Sequence, residues 1–500
     1  MDSPSVQIPP SLPQLGQTQM DRSLVSSIVW TGVIKWAAQL LSWVATLVVA
    51  RLLTPDDYGL FAMATVYIGF VGLLNEFGLG SAVVTIRNLD ERQVAQLNSV
   101  AVIIGLTGFV LSCLLAVPIA LFYRVPQLRE VVIVMSATFV LSAFRSIPYA
   151  LLQKDLKFKV IAQTEGLQTL ITSLAMVGFG LLGFRHWTLV LGALLGTAVG
   201  TLLMWTARPY HFAFPRLRAI REAITLSQQL LVSRICWYVY SNSDFLVAGR
   251  VLGKAPLGAY TFAWTLASMP LEKFTGLINQ VTPAFLSAVQ TDKPALRRYL
   301  LTLTEAQALL AFPLAFGLGL TAPDLVPVVL GSKWESVIAP CQWLAFYGAF
   351  RAVSPLIANV MMVVGESRFL MLNGLVAVAL FPPAFYFGSA WGTVGIAAVW
   401  LWAHPLVTIP MFWRAFRRIE LRFGDYLRAL WPSLTSGLSM ILAVLLLQHN
   451  LPAALGPGLR LCLEILVGAA TYGGGLLCFH RDRLAVFYGF IMKSRAVPAA

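Results

Sequence analysis

Residues 51–61 read RLLTPDDYGLF, and residues 250–260 read RVLGKAPLGAY. The two stretches align without a gap at an offset of 199, which sets Arg250 on Arg51 and Gly258 on Gly59. The same offset sets Arg234 on Lys35 and Ser241 on Ser42, so the match runs back through the apolar segment before each stretch. Such a repeat predicts two related halves. A charge inside an apolar helix is costly and normally faces a cavity or a partner. Two equivalent cations therefore predict a shared interior suited to something anionic, as in transporters built from repeats.

Composition sets the class. Hydrophobic residues make up 58% of the 500 and charged residues 12%, where a soluble domain carries roughly 25% charged residues. Fourteen apolar stretches, from 25–53 to 459–479, each come near the roughly 20 residues that cross a bilayer as a helix. The expected fold is all-α and integral to the membrane, with about fourteen transmembrane helices. These form two six-helix lobes related by the repeat, plus a C-terminal helix pair. The expected segments are a cytoplasmic tail (1–24), a first lobe (25–206), an interfacial linker (207–224), a second lobe (225–416), helices 13 and 14 (417–480) and a second tail (481–500). The polar start, Met1–Met20, lacks the basic opening and small-residue site of a cleaved signal, so the first helix is expected to be retained.

Loop charges orient the chain. With the N-terminus inside, inner loops and tails hold 23 Lys and Arg residues and outer loops hold 8. That bias predicts cytoplasmic termini in a multi-pass cell-membrane protein. The net charge of +14 then reads as a topological signal that meets anionic headgroups, not as a nucleic-acid footprint. The stretch PRLRAIRE (Pro215–Glu222) is expected along the cytoplasmic interface.

Five cations remain inside helices: Lys35, Arg145, Arg234, Lys273 and Arg351. Thr31, Lys35, Gln39, Ser42 and Thr46 share one helical stripe, and Ser227, Arg234, Tyr238 and Ser241 share its counterpart. Both stripes are expected to face protein or water, since facing lipid is expensive. The plainer alternative pairs each cation with an intramembrane acid such as Asp244, Glu272, Glu305 or Glu464. Asp244 precedes Arg250 on the same helix and is expected to be its partner, with an ion-carrying role as the alternative.

The turn TPDDYG carries helix-start chemistry. Thr54 suits the cap, Pro55 the first position, and Asp57 stands three residues after the cap. Gly59 and Gly258 are expected to let helices approach closely. There is no GxxxxGK[ST] phosphate loop. The five histidines are scattered, and the five cysteines lack metal-ligand spacing. No catalytic residues, metal or cofactor are expected, and the chain is not expected to be an enzyme.

The chain resembles the Wzx-type oligosaccharide flippases, in the WzxC-like branch of the polysaccharide transporter family within the MOP exporter superfamily. The resemblance rests on VARLLTPDDYGLFAMA (Val49–Ala64), EFGLGSAVV (Glu76–Val84) and SDFLVAGRVLGKAPLGAYTFAW (Ser243–Trp264). It continues through VTPAFLSAVQ (Val281–Gln290), VLGSKWESVIAPCQWLA (Val329–Ala345) and VVGESR (Val363–Arg368). It implies alternating access and a polyisoprenyl-diphosphate-linked oligosaccharide as cargo for surface polysaccharide synthesis. The pathway's polymerase and glycosyltransferases are the implied partners.

Joined to the polar stripes, the resemblance implies that Lys35, Arg234, Arg351 and Lys273 hold the diphosphate. Gln39, Ser42, Trp43, Trp237 and Tyr238 are the expected sugar contacts. With no ATPase motif, Asp244, Glu272 and Glu305 are the candidate ion-coupling acids. Three other readings stand beside this one. A cation-coupled drug antiporter needs an acidic cavity. A lipid II flippase shares the fold and a cationic cavity. A membrane polysaccharide polymerase normally shows catalytic acids or histidines on a large outer loop.

Overall fold

A computed structural model of the chain describes residues 37–76, 79–86, 89–215, 221–452 and 455–481. Lys35 and most of PRLRAIRE lie outside them. The described residues are helical almost throughout. The helices are α1 (Ala37–Leu52), α2 (Pro55–Glu76), α3 (Leu79–Thr85), α4 (Glu91–Tyr123), α5 (Leu128–Lys154), α6 (Phe158–Leu181), α7 (Trp187–Ala207) and α8 (Arg221–Val247). They continue as α9 (Lys254–Ala288), α10 (Lys293–Val329), α11 (Ile338–Val363), α12 (Ser367–Gly388), α13 (Gly392–Ile419), α14 (Phe423–Asn450) and α15 (Pro457–Phe479).

Among the described residues, nine segments are long and apolar enough to cross a membrane, one of them (Ser367–Ile419) spanning α12 and α13. Length and apolarity do not by themselves reach the expected fourteen. The long helices that fall short are α6, α8 and α9, which carry Lys159 and Glu165, Arg234 and Asp244, and Glu272 and Lys273. The lobe boundary expected at 416 falls inside α13, because Arg417 and Arg418 continue its last turn until Glu420 closes it at φ 55°.

Capping residues start and stop these helices. Thr54 and Asp57 bond reciprocally at the start of α2: Thr54 N and Oγ1 donate to Asp57 Oδ2 at 3.0 and 2.7 Å, and Asp57 N donates to Thr54 Oγ1 at 3.4 Å. The repeat-equivalent position is Gly253, whose φ of 92° only glycine adopts freely. It follows a π-helical turn, Ala248–Leu252. Thus one half starts its second helix with a side-chain cap and the other with a glycine turn. Asp90 caps α4 and Asp292 caps α10, again one per half.

The helices α3 to α7 pack mainly among themselves, as do α8 to α13, while α2 joins α5 and α4 on one side and packs most heavily on α9, and α14 and α15 pack on each other and on α10. The two sets meet most extensively where α2 crosses α9. Lipid offers little hydrophobic drive between helices, so close contact of small residues and interhelical hydrogen bonds must hold such a crossing. A Cβ on Gly59 would stand 1.7 Å from the Lys254 carbonyl oxygen, and one on Gly258 1.8 Å from that of Pro55. Beside this crossing, Tyr58, Phe262 and Trp334 pack edge-to-face or tilted with centroids 4.8–5.3 Å apart. Such pairs contribute about 0.5–1.5 kcal/mol each beyond their area.

Candidate functional site

The helix ends near residues 51–59, 250–258 and 329–338 form one end of the bundle, and there the two sets are tied together. Arg51 donates to the Val328 carbonyl, and its Nε to the Val329 carbonyl at 2.6 Å, so it caps α10 from the other set. Lys333 returns a bond to the Arg51 carbonyl at 2.5 Å, and Trp334 Nε1 bonds the Ala50 carbonyl at 2.8 Å. Arg250, the repeat partner of Arg51, lies over the Phe122 ring at 5.4 Å. Lys254 pairs with Asp56 at 3.4 Å.

Between this tied end and the opposite one lies a cavity of about 480 Å³ enclosed by α8, α9, α11, α12 and α13. Trp237, Tyr240, Trp264, Arg351, Asn373 and His404 are among its lining residues. That size is within the usual range for small-ligand sites.

Among the described residues the one cation on its wall is Arg351, held by three residues spaced four apart on α9: Trp264, Ser268 and Glu272. This spacing puts them on one face. The Arg351 guanidinium lies 5.0 Å from the Trp264 ring centroid. Its terminal nitrogens donate to Ser268 Oγ and Glu272 Oε1, each at 3.0 Å. Arg351 thus follows the pairing alternative, with Glu272 as its acid. Further along the wall, the Nδ1 atom of His404 is buried with no hydrogen-bond partner among the described residues. Tyr347 and Phe350 stand edge-on to its ring.

Asp244 lies just behind this wall and is fully buried. Tyr260 Oη donates to its carboxylate at 2.7 Å, Trp400 Nε1 at 3.1 Å and the Phe245 amide at 2.9 Å. The expected Asp244–Arg250 pairing is not what forms. Six residues at about 100° each put the two on different faces of a helix, and the π-helical turn intervenes.

The remaining expected contacts separate into groups. Trp237 lines the cavity and is 56% exposed. Arg234 stands one turn before it on α8 and is exposed. Tyr238 turns to α2, where its hydroxyl donates to the Val66 carbonyl at 2.9 Å. Gly69 makes room for it, since a Cβ there would meet that hydroxyl at 2.2 Å. Gln39, Ser42 and Trp43 lie half-buried on α1 and are not among the residues that line the cavity. Glu305 is half-buried on α10, and Lys273 follows Glu272 on α9.

Arg145 donates to Gln168 Oε1 at 2.7 Å, so its partner is an amide. Trp264, Asn373 and His404 were not foreseen. The four-residue spacing of Trp264, Ser268 and Glu272 was the available signal for the first.

The far end of the second set is pinned by Glu366, in the α11–α12 connection, which accepts from Arg414 Nε at 2.9 Å and from Arg418. Burial opposes its charge, but these two arginines outweigh that and hold its carboxyl below the usual range.

Residues 48–339 match the family described as Polysaccharide biosynthesis protein. The chain belongs to this family. Among its relatives is the lipopolysaccharide biosynthesis protein WzxC of Escherichia coli (strain K12), 26% identical over 422 residues, covering 81% of this chain and 84% of WzxC. Another is the succinoglycan biosynthesis transport protein ExoT of Rhizobium meliloti (strain 1021), 23% identical over 487 residues, covering 96% and 98%. In fold, the chain is similar to the lipid II flippase MurJ in an inward closed conformation. The TM-score is 0.74 at 14% identity, covering 91% of this chain and 100% of MurJ. Family, relatives and helical architecture together describe a multi-pass membrane transport protein of polysaccharide biosynthesis.

Proposed function

We propose that this member of the family flips a polyisoprenyl-diphosphate-linked oligosaccharide from the cytoplasmic to the outer leaflet of the cell membrane by alternating access. The product feeds a cell-surface polysaccharide: lipopolysaccharide, capsule or exopolysaccharide. The observation that carries this reading is the repeat itself. It gives each half a cation at the equivalent position, Lys35 and Arg234, in a chain whose relatives are named for polysaccharide biosynthesis and transport.

The positive-inside bias supports placing both termini, and the Glu366 end, in the cytoplasm of a cell-membrane protein. The end tied by Arg51 then faces outward. Segment 25–206 and the helices α8 to α13 act as the rocking lobes, with α14 and α15 riding on the second. Breaking the Arg51 and Gly59–Gly258 contacts opens the outer side. Lys35, Arg234 and Lys273 attract the diphosphate by charge, and Arg234 adds a bidentate geometry. Gln39, Ser42 and Trp43 contact the cargo from α1.

The polymerase and glycosyltransferases of the same pathway are the partners. Energy comes from an ion gradient or from consumption of the product outside. One charge crossing 100 mV supplies about 2.3 kcal/mol. Asp244, Glu272 and Glu305 are the acids we assign to ion coupling.

The test is deletion of the gene followed by leaflet analysis of lipid-linked intermediates. A lipid-diphosphate oligosaccharide should accumulate on the cytoplasmic side. Normal arrival of every such intermediate at the outer leaflet would overturn the proposal.

A further inference from the structure

The cavity on the second set of helices has the wrong electrostatics for a diphosphate and the right ones for a sugar. Its cation, Arg351, is neutralised by Glu272 at 3.0 Å and stacked on Trp264. An anion placed there gains little from the arginine and meets the glutamate. What the wall does offer is aromatic surface from Trp237, Tyr240 and Trp264, the Asn373 amide and the His404 ring. Indole faces pack against the C–H face of a pyranose ring, and an amide hydrogen-bonds its hydroxyls.

We propose that this cavity is the subsite for the sugar joined to the diphosphate, and that it selects an uncharged ring. This rests on the diphosphate-linked cargo proposed above. The spacing along α8 supports it. Arg234 and Trp237 are three residues apart, so they share a face with an axial separation of about 4.5 Å. A diphosphate on Arg234 therefore delivers the adjoining sugar to the exposed face of Trp237. From there the ring extends along the wall toward Asn373 and His404. The Arg351–Glu272 pair is the selectivity element: it leaves no net charge for a carboxylated sugar to answer.

The experiment measures binding of three probes to the purified full-length protein in lipid nanodiscs. They are a bare polyisoprenyl diphosphate, the same lipid bearing one neutral hexose, and the same lipid bearing one hexuronic acid. The wild type should bind the hexose form about tenfold more tightly than the other two, a ratio equal to about 1.4 kcal/mol. Trp237→Ala should collapse that ratio, and Trp237→Phe should keep most of it. Glu272→Gln releases Arg351 and should move the preference several-fold toward the hexuronic acid. A hexose that adds nothing to wild-type affinity overturns the subsite, as does a Trp237→Ala loss shared equally by the bare lipid. Failure of the wild type to bind the bare diphosphate lipid, with no effect of Arg234→Gln on any probe, would instead remove the diphosphate reading beneath it.

Discussion

Gly59 and Gly258 meet across the two halves of the chain: a methyl group on Gly258 would stand 2.8 Å from the Gly59 amide nitrogen and 1.8 Å from the Pro55 carbonyl oxygen. Each glycine is the other's repeat equivalent. Around them Tyr58, Phe262 and Trp334 close the crossing, and Arg51 reaches over it to α10. The joint is self-complementary, since Lys254 and Pro55, which the two glycines meet, are also equivalent at the offset of 199. It sits at one end of the bundle, so a transporter that rocks about the opposite end has to part it.

The crossing yields the first prediction. The atoms in the way of a Cβ are backbone, which cannot rotate aside. Gly59→Ala or Gly258→Ala should therefore destabilise the protein by about 1–3 kcal/mol, the usual cost of overpacking. Gly178→Ala is the control, because no atom lies within 4 Å of its added Cβ. The check is the midpoint of thermal unfolding in detergent, which should fall for the first two variants and hold for the third.

Asp244 gives the second. A fully buried carboxylate held by Tyr260, Trp400 and one amide has only neutral donors for company, an expensive arrangement for a charge. Such residues inside membranes are by default functional. Asp244→Asn keeps an oxygen for those donors, so the protein should still accumulate. Transport in reconstituted vesicles should lose its response to an imposed ion gradient. Unchanged gradient dependence at normal protein level would leave Asp244 a packing residue.

How far the sequence reached can be judged at single residues. The repeat, the Thr54–Asp57 cap and the close approach at Gly59 and Gly258 were legible, because each depends on chemistry within a few residues or on identity at a fixed offset. The Asp244–Arg250 pairing was not. It rested on nearness along the chain, whereas helical phase turned Asp244 toward Tyr260 and Trp400 on other helices. The resemblance, joined to the stripes, grouped Trp237 with Tyr238 as sugar contacts. The structure sends one to the cavity and the other to the Val66 carbonyl, because neighbours on a helix diverge by about 100°. His404 was passed over as one of five scattered histidines, and only the assembled wall shows its ring beside Tyr347 and Phe350.

The third prediction is a pH dependence. The Glu366 carboxyl is held below its ordinary value, so the stabilisation from Arg414 and Arg418 is complete above the ordinary carboxylate range, about pH 4.3. It is lost as pH falls through the lowered value. Glu366→Gln should reduce thermal stability at pH 7, and the gap to the wild type should close as the pH drops below about 4. A gap that persists unchanged at acid pH would show that charge at this position is not what pins α12 to α13.

Topology is the fourth. A reporter fused after Arg418 should report cytoplasm, and one fused after Lys333 the outer side, because the Lys and Arg excess lies on the Arg418 side. A cytoplasmic signal at Lys333 would invert the assignment of the Arg51 end as the outer closure.

The fifth concerns the two equivalent cations. Repeat descent explains why Lys35 and Arg234 share a position, but not why both halves keep an expensive charge there. A diphosphate gripped from both lobes explains the retention. Lys35→Gln and Arg234→Gln should each abolish transport of the lipid-linked cargo while the protein still inserts and folds. The exchange Lys35→Arg with Arg234→Lys separates two ways of gripping. If net charge dominates, it keeps partial activity. If bidentate geometry at Arg234 dominates, it keeps little, since an ammonium cannot offer two parallel donors to one phosphate. Normal transport in both glutamine variants would make these charges structural and would remove the central-cation mechanism.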